Sequence, residues 1–318
     1  AARPGVELRA LGPITELPSL TDLKQRDHRK LVVADGQVAL LGGRNLSHEY
    51  YTAYDEVQLT PGSLWRQVPW LDAGARVEGP AVAALEASFL ETWIEAGGGD
   101  FPIVPSPPAG TSAARVVVHR GLRDARTLET YLELIDTARS HIHVVNGFPL
   151  VLELQHALLR ALGRGVRVRA LLGCPTPLHD GEPFAGPWAA TRTVATELVH
   201  SRMDPIIAAG GEGHLFARRD EPGWAPELGV VHPHVHAKAM SADGLRCAVG
   251  SANMDITASY WESELLLVVE DAALARGFEA KIDALMAGST LVSREDPAWQ
   301  QLAARRAWMR HWPGVLSV

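Results

Sequence analysis

The chain has 318 residues, of which 47% are hydrophobic and 21% are charged, a composition typical of a folded globular protein. Its length suits two lobes better than a single core. The formal net charge of −7 disfavours a dedicated nucleic-acid surface, which would be basic. Two cysteines, Cys174 and Cys247, are too few for a disulfide framework. Because no apolar run reaches the ~18 residues that span a bilayer, we expect any membrane contact to be peripheral.

The pattern of apolar residues predicts strands that alternate with helices. Apolar residues at 32–33 and 39–41 flank a turn at Asp35-Gly36. A Gly/Pro-rich stretch over 97–108 indicates a linker between a first lobe, 1–110, and a second lobe, 111–318. After it, the sequence predicts a strand over 115–119, a helix over 122–140, a strand over 141–145, a helix over 150–162 and a strand over 165–172. This alternation predicts an α/β fold with mostly parallel central sheets flanked by helices.

The first lobe is predicted to be incomplete on its N-terminal side. Residues 3–11 resemble residues 164–171 of the second lobe, but they are not preceded by the strand–helix–strand–helix block found there. We therefore expect that Ala1 is not the natural start and that a preceding segment of the same protein completes this lobe. Without that segment, the first sheet would have an open edge and an uncovered apolar face.

The second lobe carries an insertion between Cys174 and Val231 when its spacing is compared with that of the first lobe. The insertion is rich in proline and aromatic residues and contains a predicted helix over 191–209. Long segments of this kind in compact proteins are either lids and binding loops or surface decoration. Both interpretations stay open at this point.

Two distant stretches share one spacing of chemically active residues. The first contains His28, Lys30 and Asp35, followed by Gly43, Asn45 and Glu56. The second contains, at the same offsets, His236, Lys238 and Asp243, followed by Ser251, Asn253 and Glu264. Because a given histidine begins the His-x-Lys-x4-Asp pattern by chance only about once in several hundred cases, two copies in register indicate a duplicated half of an active site.

The residue types of the repeat suit the chemistry of a tetrahedral anion. Residues at i and i+2 of a strand point the same way, so each motif histidine and lysine would project together into one cleft. Lysine and asparagine bind phosphate oxygens, while one histidine can attack phosphorus and the other protonate the leaving oxygen. Glu56 and Glu264 are predicted to hold an imidazole N–H. Asp35 and Asp243 are predicted to hold the motif turns, and no metal is required.

These motifs resemble those of the phospholipase D superfamily, whose hallmark is a pair of HxK(x)4D motifs, and within it the bacterial cardiolipin synthases. The resemblance covers most of the chain and includes residues 26–36, 42–46, 72–93 and 250–255, together with Glu264. It implies two phospholipase D-like α/β lobes related by a pseudo-two-fold axis, with the active site between them. It further implies a phospholipid substrate, peripheral association with the bacterial inner membrane, no nucleic-acid partner and no cofactor.

The resemblance also implies a role for each residue of the repeat. A phosphatidyl group would pass through a phosphohistidine to an alcohol or to water, with His28 and His236 as nucleophile and acid/base and a slight preference for His28 as nucleophile. Four side chains would bind phosphate, with Gly43 and Ser251 beside them. They are Lys30, Lys238, Asn45 and Asn253. Tryptophans in Pro/Gly-rich loops are candidates for a lipid interface, and one or two of them are expected there. The candidates are Trp65, Trp70, Trp188 and Trp224.

Several alternatives remain from the sequence. The first is hydrolysis to phosphatidic acid, which would use the same residues as transfer. The second is nucleic-acid cleavage, the activity of single-lobe relatives. The third is a catalytically inactive scaffold, which the two intact motifs oppose. The chain departs from the family pattern at two places. The family often has Arg-Ser where this chain has Thr-Ala-Ser at residues 257–259, and it often has asparagine where this chain has Glu262, two positions before Glu264. His232, His234 and His236 alternate along the chain and could form a metal site, but no carboxylate or cysteine lies at ligand spacing beside them. His234 is predicted to support the site or the fold, and His141 and His143 are predicted to be edge or core residues.

Overall fold

The computed structural model describes residues 4–12, 24–187, 189–301 and 303–311. Its strands are β1 (Leu31–Ala34), β2 (Val38–Gly42), β3 (Gly74–Glu78), β4 (Ala113–Arg120), β5 (His141–Asn146), β6 (Arg167–Leu172), β7 (Leu178–His179), β8 (Glu182–Pro183), β9 (Glu212–Leu215), β10 (Val231–His232), β11 (Ala239–Ala242), β12 (Arg246–Gly250), β13 (Ser263–Glu270) and β14 (Thr290–Leu291). Its α-helices are α1 (Ala81–Glu95), α2 (Arg126–Thr137), α3 (Leu152–Gly163), α4 (Ala189–Ala208), α5 (Ile256–Tyr260), α6 (Ala272–Ala287), α7 (Pro297–Gln301) and α8 (Ala303–Met309).

The strands form three sheets. β1, β2 and β3 pair antiparallel in a three-stranded sheet, here called the motif-one sheet. A large sheet has the strand order β14-β9-β6-β5-β11-β12-β13-β4, and helices flank it. A small sheet, β10-β7-β8, lies within the predicted insertion. The predicted α/β class is therefore confirmed.

The prediction that the central sheets are mostly parallel is wrong. In the large sheet only the pairs β5–β6 and β6–β9 are parallel, and the other five described pairs are antiparallel. The parallel pairs are those whose strands are joined through α3 and α4, as crossover helices require. β11 and β12 are instead joined by a tight turn at Asp243 and Gly244, both with positive φ, and β13 then returns antiparallel to β12.

The two predicted lobes share an apolar core. Ala39, Leu41 and Val77 of the motif-one sheet pack with Leu265 and Leu267 of β13 in one buried cluster. The predicted linker runs between them without regular structure, and Ser106 in it donates a hydrogen bond to the carbonyl of Gly36. The division at residue 110 and the pseudo-two-fold relation of the lobes stay predictions.

The edge of the motif-one sheet has the exposed character that the sequence predicted. Within the described residues, the only strand that pairs with β1 is β2. Val32 and Leu40, on one face of this sheet, are 59% and 49% exposed. Residues 6–10 form no strand despite their resemblance to β6. The proposal that a further segment completes this lobe stays a prediction.

Three of the four loop tryptophans pack against one apolar cluster. Trp65 is buried in a cluster with Leu59 and Phe184, and Trp70 and Trp224 pack partly buried against the same cluster. This cluster joins the loop before β3 to the insertion, so the predicted lipid-interface role is wrong for Trp65. Trp188 lies outside the described residues. Among the described helices, none combines the length and the apolar character that crossing a membrane requires.

Candidate active site

The imidazole of His28 is held by a carboxylate from the second copy of the motif. The backbone N–H of His28 donates to the carbonyl of Ser263, at the start of β13, with a distance of 3.0 Å. This pairing places Nδ1 of His28 2.8 Å from Oε1 of Glu264, whose side chain is fully buried. Burial alone would raise the pKa of Glu264, but the charge and hydrogen bond of His28, with Lys30 and Ser251, hold that pKa below its ordinary value.

The imidazole of His236 is held by a carboxylate from the first half of the chain. Leu71 exchanges backbone hydrogen bonds with residues 234–236. Its N–H donates to the His234 carbonyl, and its carbonyl accepts from the His236 N–H. Asp72, the next residue, has Oδ2 2.8 Å from Nδ1 of His236. Burial raises the pKa of Asp72, and the nearby ammonium of Lys238 opposes that shift.

Asp72 and Glu264 occupy equivalent positions in strand register. Gly42 of β2 is paired with Gly74 of β3, and Gly250 of β12 is paired with Leu266 of β13. Each carboxylate lies two residues before the partner of its motif glycine. The backbone hydrogen bonds of the following residues are also equivalent in the two halves. Gly43 N–H donates to the Ala73 carbonyl, and Ser251 N–H donates to the Leu265 carbonyl. Each half therefore supplies the carboxylate that orients the histidine of the other half.

The prediction that Glu56 orients an imidazole is wrong. Glu56 is exposed in a short 3-10 helix, Tyr54–Glu56, and its Oε2 accepts a hydrogen bond from the Ala53 N–H. The segment between Asn45 and β3 is longer than the segment between Asn253 and β13. Two residues at the same offset from their motif histidines therefore do not occupy equivalent positions in the structure. Asp72 was missed by sequence analysis, although pairing β3 with β2 in the register of β12 and β13 would have found it.

The motif lysines lie beside the histidines, with Lys238 buried and Lys30 partly buried. Burial lowers the pKa of Lys238 to about 7, with Asp72 opposing the shift and the charge of Lys30 adding to it. Burial lowers the pKa of Lys30 to about 8, against the charges of Glu264, Glu262 and Asp72. Nζ of Lys30 donates to the carbonyl of His28 at 2.6 Å. Because each lysine feels charges from both copies of the motif, the structure brings the two His–Lys pairs around one region.

The amide side chains differ between the two copies. Asn253 is buried, and its Oδ1 has no hydrogen-bond partner within the described part of the chain. Asn45 instead donates from Nδ2 to the hydroxyl of Tyr50 at 2.9 Å. Buried polar atoms are rarely left unpaired, and this oxygen is an acceptor, so it is open to a hydroxyl or N–H donor rather than to a phosphate oxygen.

Gly43 and Ser251 position carboxylates rather than a phosphate. The hydroxyl of Ser251 donates to Oε2 of Glu264 and accepts the Leu265 N–H, which leaves no side-chain donor for the predicted phosphate contact. A Cβ atom at Gly43 would lie 2.3 Å from Oδ1 of Asp72. Only glycine therefore lets Asp72 reach His236 without a shift.

The motif aspartates hold turns, in agreement with the prediction. Asp243 has a φ of 60°, and its carboxylate accepts the backbone N–H groups of residues 139, 140 and 141 at 2.9, 2.8 and 3.0 Å. These contacts tie the β11–β12 turn to the start of β5. Asp35 has the same left-handed conformation, with a φ of 55°, but is exposed.

Glu262 adds a carboxyl group that the motif spacing did not predict. Its Oε2 lies 3.8 Å from Nδ1 of His28. Burial raises the pKa of Glu262 to about 7, with His28 opposing the shift. Nearby, the wholly buried Asp255 caps α5 by accepting the Ala258 N–H, and burial raises its pKa to about 6. Proton positions at this edge of the site therefore change near neutral pH.

The other histidines of the second motif have structural surroundings. His234 is buried, with the rings of Trp70 and Phe148 packed edge-on against it. Nδ1 of His232 lies 2.9 Å from the carbonyl of Phe216. The ring contacts of His234 fit the supporting or structural role expected for it.

Similarity to known proteins defines the class. A family model described as "Cardiolipin synthase, PLD-like domain" matches residues 131–286. The crystal structure of phosphatidylserine synthase from Haemophilus influenzae superposes with a TM-score of 0.59 at 12% identity, covering 89% of this chain and 69% of that one, which is a likeness of fold. These matches, like the paired motifs, are to proteins of the phospholipase D superfamily, so the predicted resemblance is confirmed.

Within that superfamily the chain is similar to cardiolipin synthases. It is 28% identical to cardiolipin synthase A of Pseudomonas aeruginosa over 296 residues, which cover 92% of this chain and 53% of that protein. It is 28% identical to cardiolipin synthase A of Pseudomonas fluorescens over 312 residues, which cover 95% and 57%. The chain thus spans about half the length of these curated relatives.

Proposed function

We propose that this chain carries a phosphatidyltransferase site that acts on glycerophospholipids in the manner of a cardiolipin synthase. One observation carries the proposal: Nδ1 of each motif histidine is engaged by a buried carboxylate, Glu264 for His28 and Asp72 for His236. The two carboxylates make both rings more basic, and in the proposed reaction each ring acts through Nε2. The buried Lys238 and the partly buried Lys30 supply positive charge where a phosphodiester would bind.

The proposed reaction has two steps. In the first, Nε2 of His28 attacks phosphorus, the bond from phosphorus to the leaving alcohol breaks, and protonated His236 gives its proton to the leaving oxygen. In the second, His236 takes the proton of the acceptor hydroxyl, the acceptor oxygen attacks phosphorus, and the phosphorus–nitrogen bond breaks. Lys30 and Lys238 neutralise the non-bridging oxygens, and Asn253 donates to them. Glu264 and Asp72 stabilise whichever imidazolium forms.

The surface beside the site suits a lipid. A cavity of about 900 Å³ lies between the motif-one sheet and α6. Lys30, Asn45 and Asp72 line it. The lining also contains apolar and basic side chains, among them Leu71, Val145, Phe278, Ile282, Leu285, Arg29, Arg44, Arg76 and Lys281. A phosphate bound beside Lys30 would leave an acyl chain to pack on the apolar part of the lining, which supports a glycerophospholipid donor and peripheral association with a membrane.

The experiment that tests this function combines product analysis with trapping of the intermediate. The protein is mixed with phosphatidylglycerol vesicles, and lipid products and intact protein mass are followed over time. We expect cardiolipin and free glycerol, and we expect a phosphatidyl adduct in His236→Asn that is absent in His28→Asn. Activity without any adduct in either variant would overturn the phosphohistidine mechanism. Absence of any lipid turnover by the wild type, under conditions where vesicles bind, would overturn the function.

Hydrolysis is the second candidate, and Glu262 is the observation that favours it. A carboxyl group with a pKa near 7, 3.8 Å from Nδ1 of His28, makes the site more polar than the asparagine that the family often has there. If phosphatidic acid is the sole product even with excess glycerol, the acceptor is water and the transferase assignment fails. Cleavage of single-stranded DNA that is lost in His28→Ala would instead indicate a nuclease, which the net charge of −7 opposes.

A further inference from the structure

A cluster of nitrogen and oxygen ligands lies away from the catalytic histidines, between β5 and α6. His141 and His143 alternate on β5 and both face α6, where Glu279 and Asp283 lie one turn apart. Nε2 of His141 lies 3.0 Å from Oε2 of Glu279, and Nδ1 of His143 lies 3.9 Å from Oε1 of the same carboxylate. One ligand atom from each of His141, His143 and Glu279 lies within 4.8 Å of the others.

The tautomer of His143 leaves a lone pair directed at a carboxylate. Nε2 of His143 lies 3.0 Å from Oδ1 of Asp283, so this nitrogen carries the proton and donates it to the carboxylate. Nδ1 is then an acceptor, is buried and has no hydrogen-bond partner among the described residues. It faces Glu279, which is also an acceptor. His143 is only 5% exposed, so two acceptors face each other with little access to water, and a cation between them would remove that conflict.

Charge and protonation also favour a cation here. Glu279 and Asp283 bring two negative charges, and Arg169 pairs with Asp283 and Glu212. A neutral imidazole whose second nitrogen donates to a carboxylate is the usual form of a histidine metal ligand.

We propose that His141, His143 and Glu279 form a transition-metal site, best suited to Zn²⁺, with Asp283 as the outer carboxylate that orients His143. Two imidazoles and one carboxylate are a zinc donor set, whereas Ca²⁺ and Mg²⁺ prefer oxygen ligands. Two ligands of one zinc ion lie at most about 4 Å apart, twice the metal–nitrogen bond. The present spacing therefore needs only a small closure of side chains, and the partly exposed His141 gives the ion a way in.

The proposed site would stabilise the motif-two half of the protein. Glu279 also accepts hydrogen bonds from the hydroxyl of Ser241 and from the N–H of Gly244, in the turn that follows β11. A metal on Glu279 would thus join β5, α6 and the β11–β12 turn. Lys238 immediately precedes β11, so the ion would hold the strand on which the second motif is built without touching the substrate.

The test is zinc binding by the full chain, freed of metal with a chelator and then dialysed. We expect one Zn²⁺ per chain by elemental analysis, a higher Tm with Zn²⁺ and no such effect of Mg²⁺ or Ca²⁺. We expect binding to be lost in His143→Gln and His141→Gln and weakened about 10–100-fold in Asp283→Asn. His156→Gln, an exposed histidine on α3, is the matched control and should bind zinc as the wild type does.

A second variant separates this site from the catalytic one, because His28, Glu262 and Glu264 are also close enough to hold an ion. Zinc binding should persist in His28→Gln. Loss in His28→Gln with retention in His143→Gln would overturn the proposal, as would failure of the wild type to bind zinc. If circular dichroism shows that His143→Gln is unfolded, the partly exposed His141→Gln decides, and full zinc binding by that folded variant would also overturn it.

Discussion

Nδ1 of His28 lies 2.8 Å from Oε1 of Glu264, although the two residues belong to different copies of the repeated motif. His236 and Asp72 make the reciprocal contact. Neither copy therefore contains its own His–carboxylate pair, and the site exists only when the two halves have folded against each other. The shared core of Ala39, Leu41, Leu265 and Leu267 holds them in that arrangement.

The exchange of carboxylates predicts a sharp difference between two glutamates at equal offsets from their histidines. Glu264→Gln should lower kcat for phosphatidyl transfer about 10²–10⁴-fold, because an amide neither fixes the imidazole tautomer nor stabilises the imidazolium. Glu56→Gln is the matched control and should leave kcat within about twofold, since Glu56 is exposed and accepts only from the Ala53 N–H. Equal losses in the two variants would contradict the exchanged pairing.

The close approach of Gly43 to Asp72 predicts that a single methyl group disrupts the second pair. In Gly43→Ala the new Cβ would meet Oδ1 of Asp72 at 2.3 Å, so the carboxylate must move away from His236. We expect kcat to fall about 10²-fold, which is the typical loss when a catalytic group is misplaced by about 1 Å. We expect a larger loss of kcat in Asp72→Asn.

The matched control for Gly43→Ala is Gly277→Ala, on the exposed face of α6. No described heavy atom lies within 4 Å of the added Cβ there. This variant should keep full activity and gain about 0.5–1 kcal/mol in the free energy of unfolding, since alanine favours a helix more than glycine does. An active Gly43→Ala would show that Asp72 has room to adjust.

The lowered lysine pKa values predict that anion binding weakens as pH rises. Lys238 loses its proton near pH 7 and Lys30 near pH 8, so both ammonium groups are present at about pH 6 and absent at about pH 9. Calorimetric titration with sulfate, whose charge is constant over this range, should show at least an about tenfold loss of affinity, equivalent to about 1.4 kcal/mol. Proton uptake on binding should be largest between the two pKa values.

Glu262 titrates in the same range and acts in the same direction. Its carboxyl is neutral below about pH 7 and charged above it, which repels an anion at high pH. Glu262→Gln should therefore flatten part of the profile, and Lys30→Gln should remove the step near pH 8. A profile that does not change with pH in the wild type would show that the lysines stay charged.

The two motif aspartates predict unequal effects on stability. Asp243→Asn weakens three hydrogen bonds from backbone N–H groups to a carboxylate and should lower the free energy of unfolding by about 1–3 kcal/mol, measured with urea. Asp35→Asn is the control, because it keeps the left-handed turn at an exposed position. It should change stability by less than about 0.5 kcal/mol. A larger loss in Asp35→Asn would reverse the assignment.

Some of the structure was readable from periodicity and spacing alone. The Asp-Gly pairs form turns with positive φ, and the helices α2 to α4 lie where the apolar pattern predicts them. The His-x-Lys pairs, which were predicted to lie on strands, instead end just before β1 and β11. The turns and helices depend on neighbours a few residues away, so local backbone geometry decides them. The superfamily assignment followed from the same local motifs.

Other features depend on which distant segments meet. The choice of Asp72 over Glu56 follows from the register of β2 with β3, and the mostly antiparallel sheet follows from the β11–β12 turn. The facing of His143 towards Glu279 follows from the packing of α6 on β5. Loop length and strand register set such contacts, and neither leaves a fixed offset in the chain. The sequence by itself therefore determined the reactive groups and the class of protein, while the tertiary structure decided which carboxylate serves which histidine.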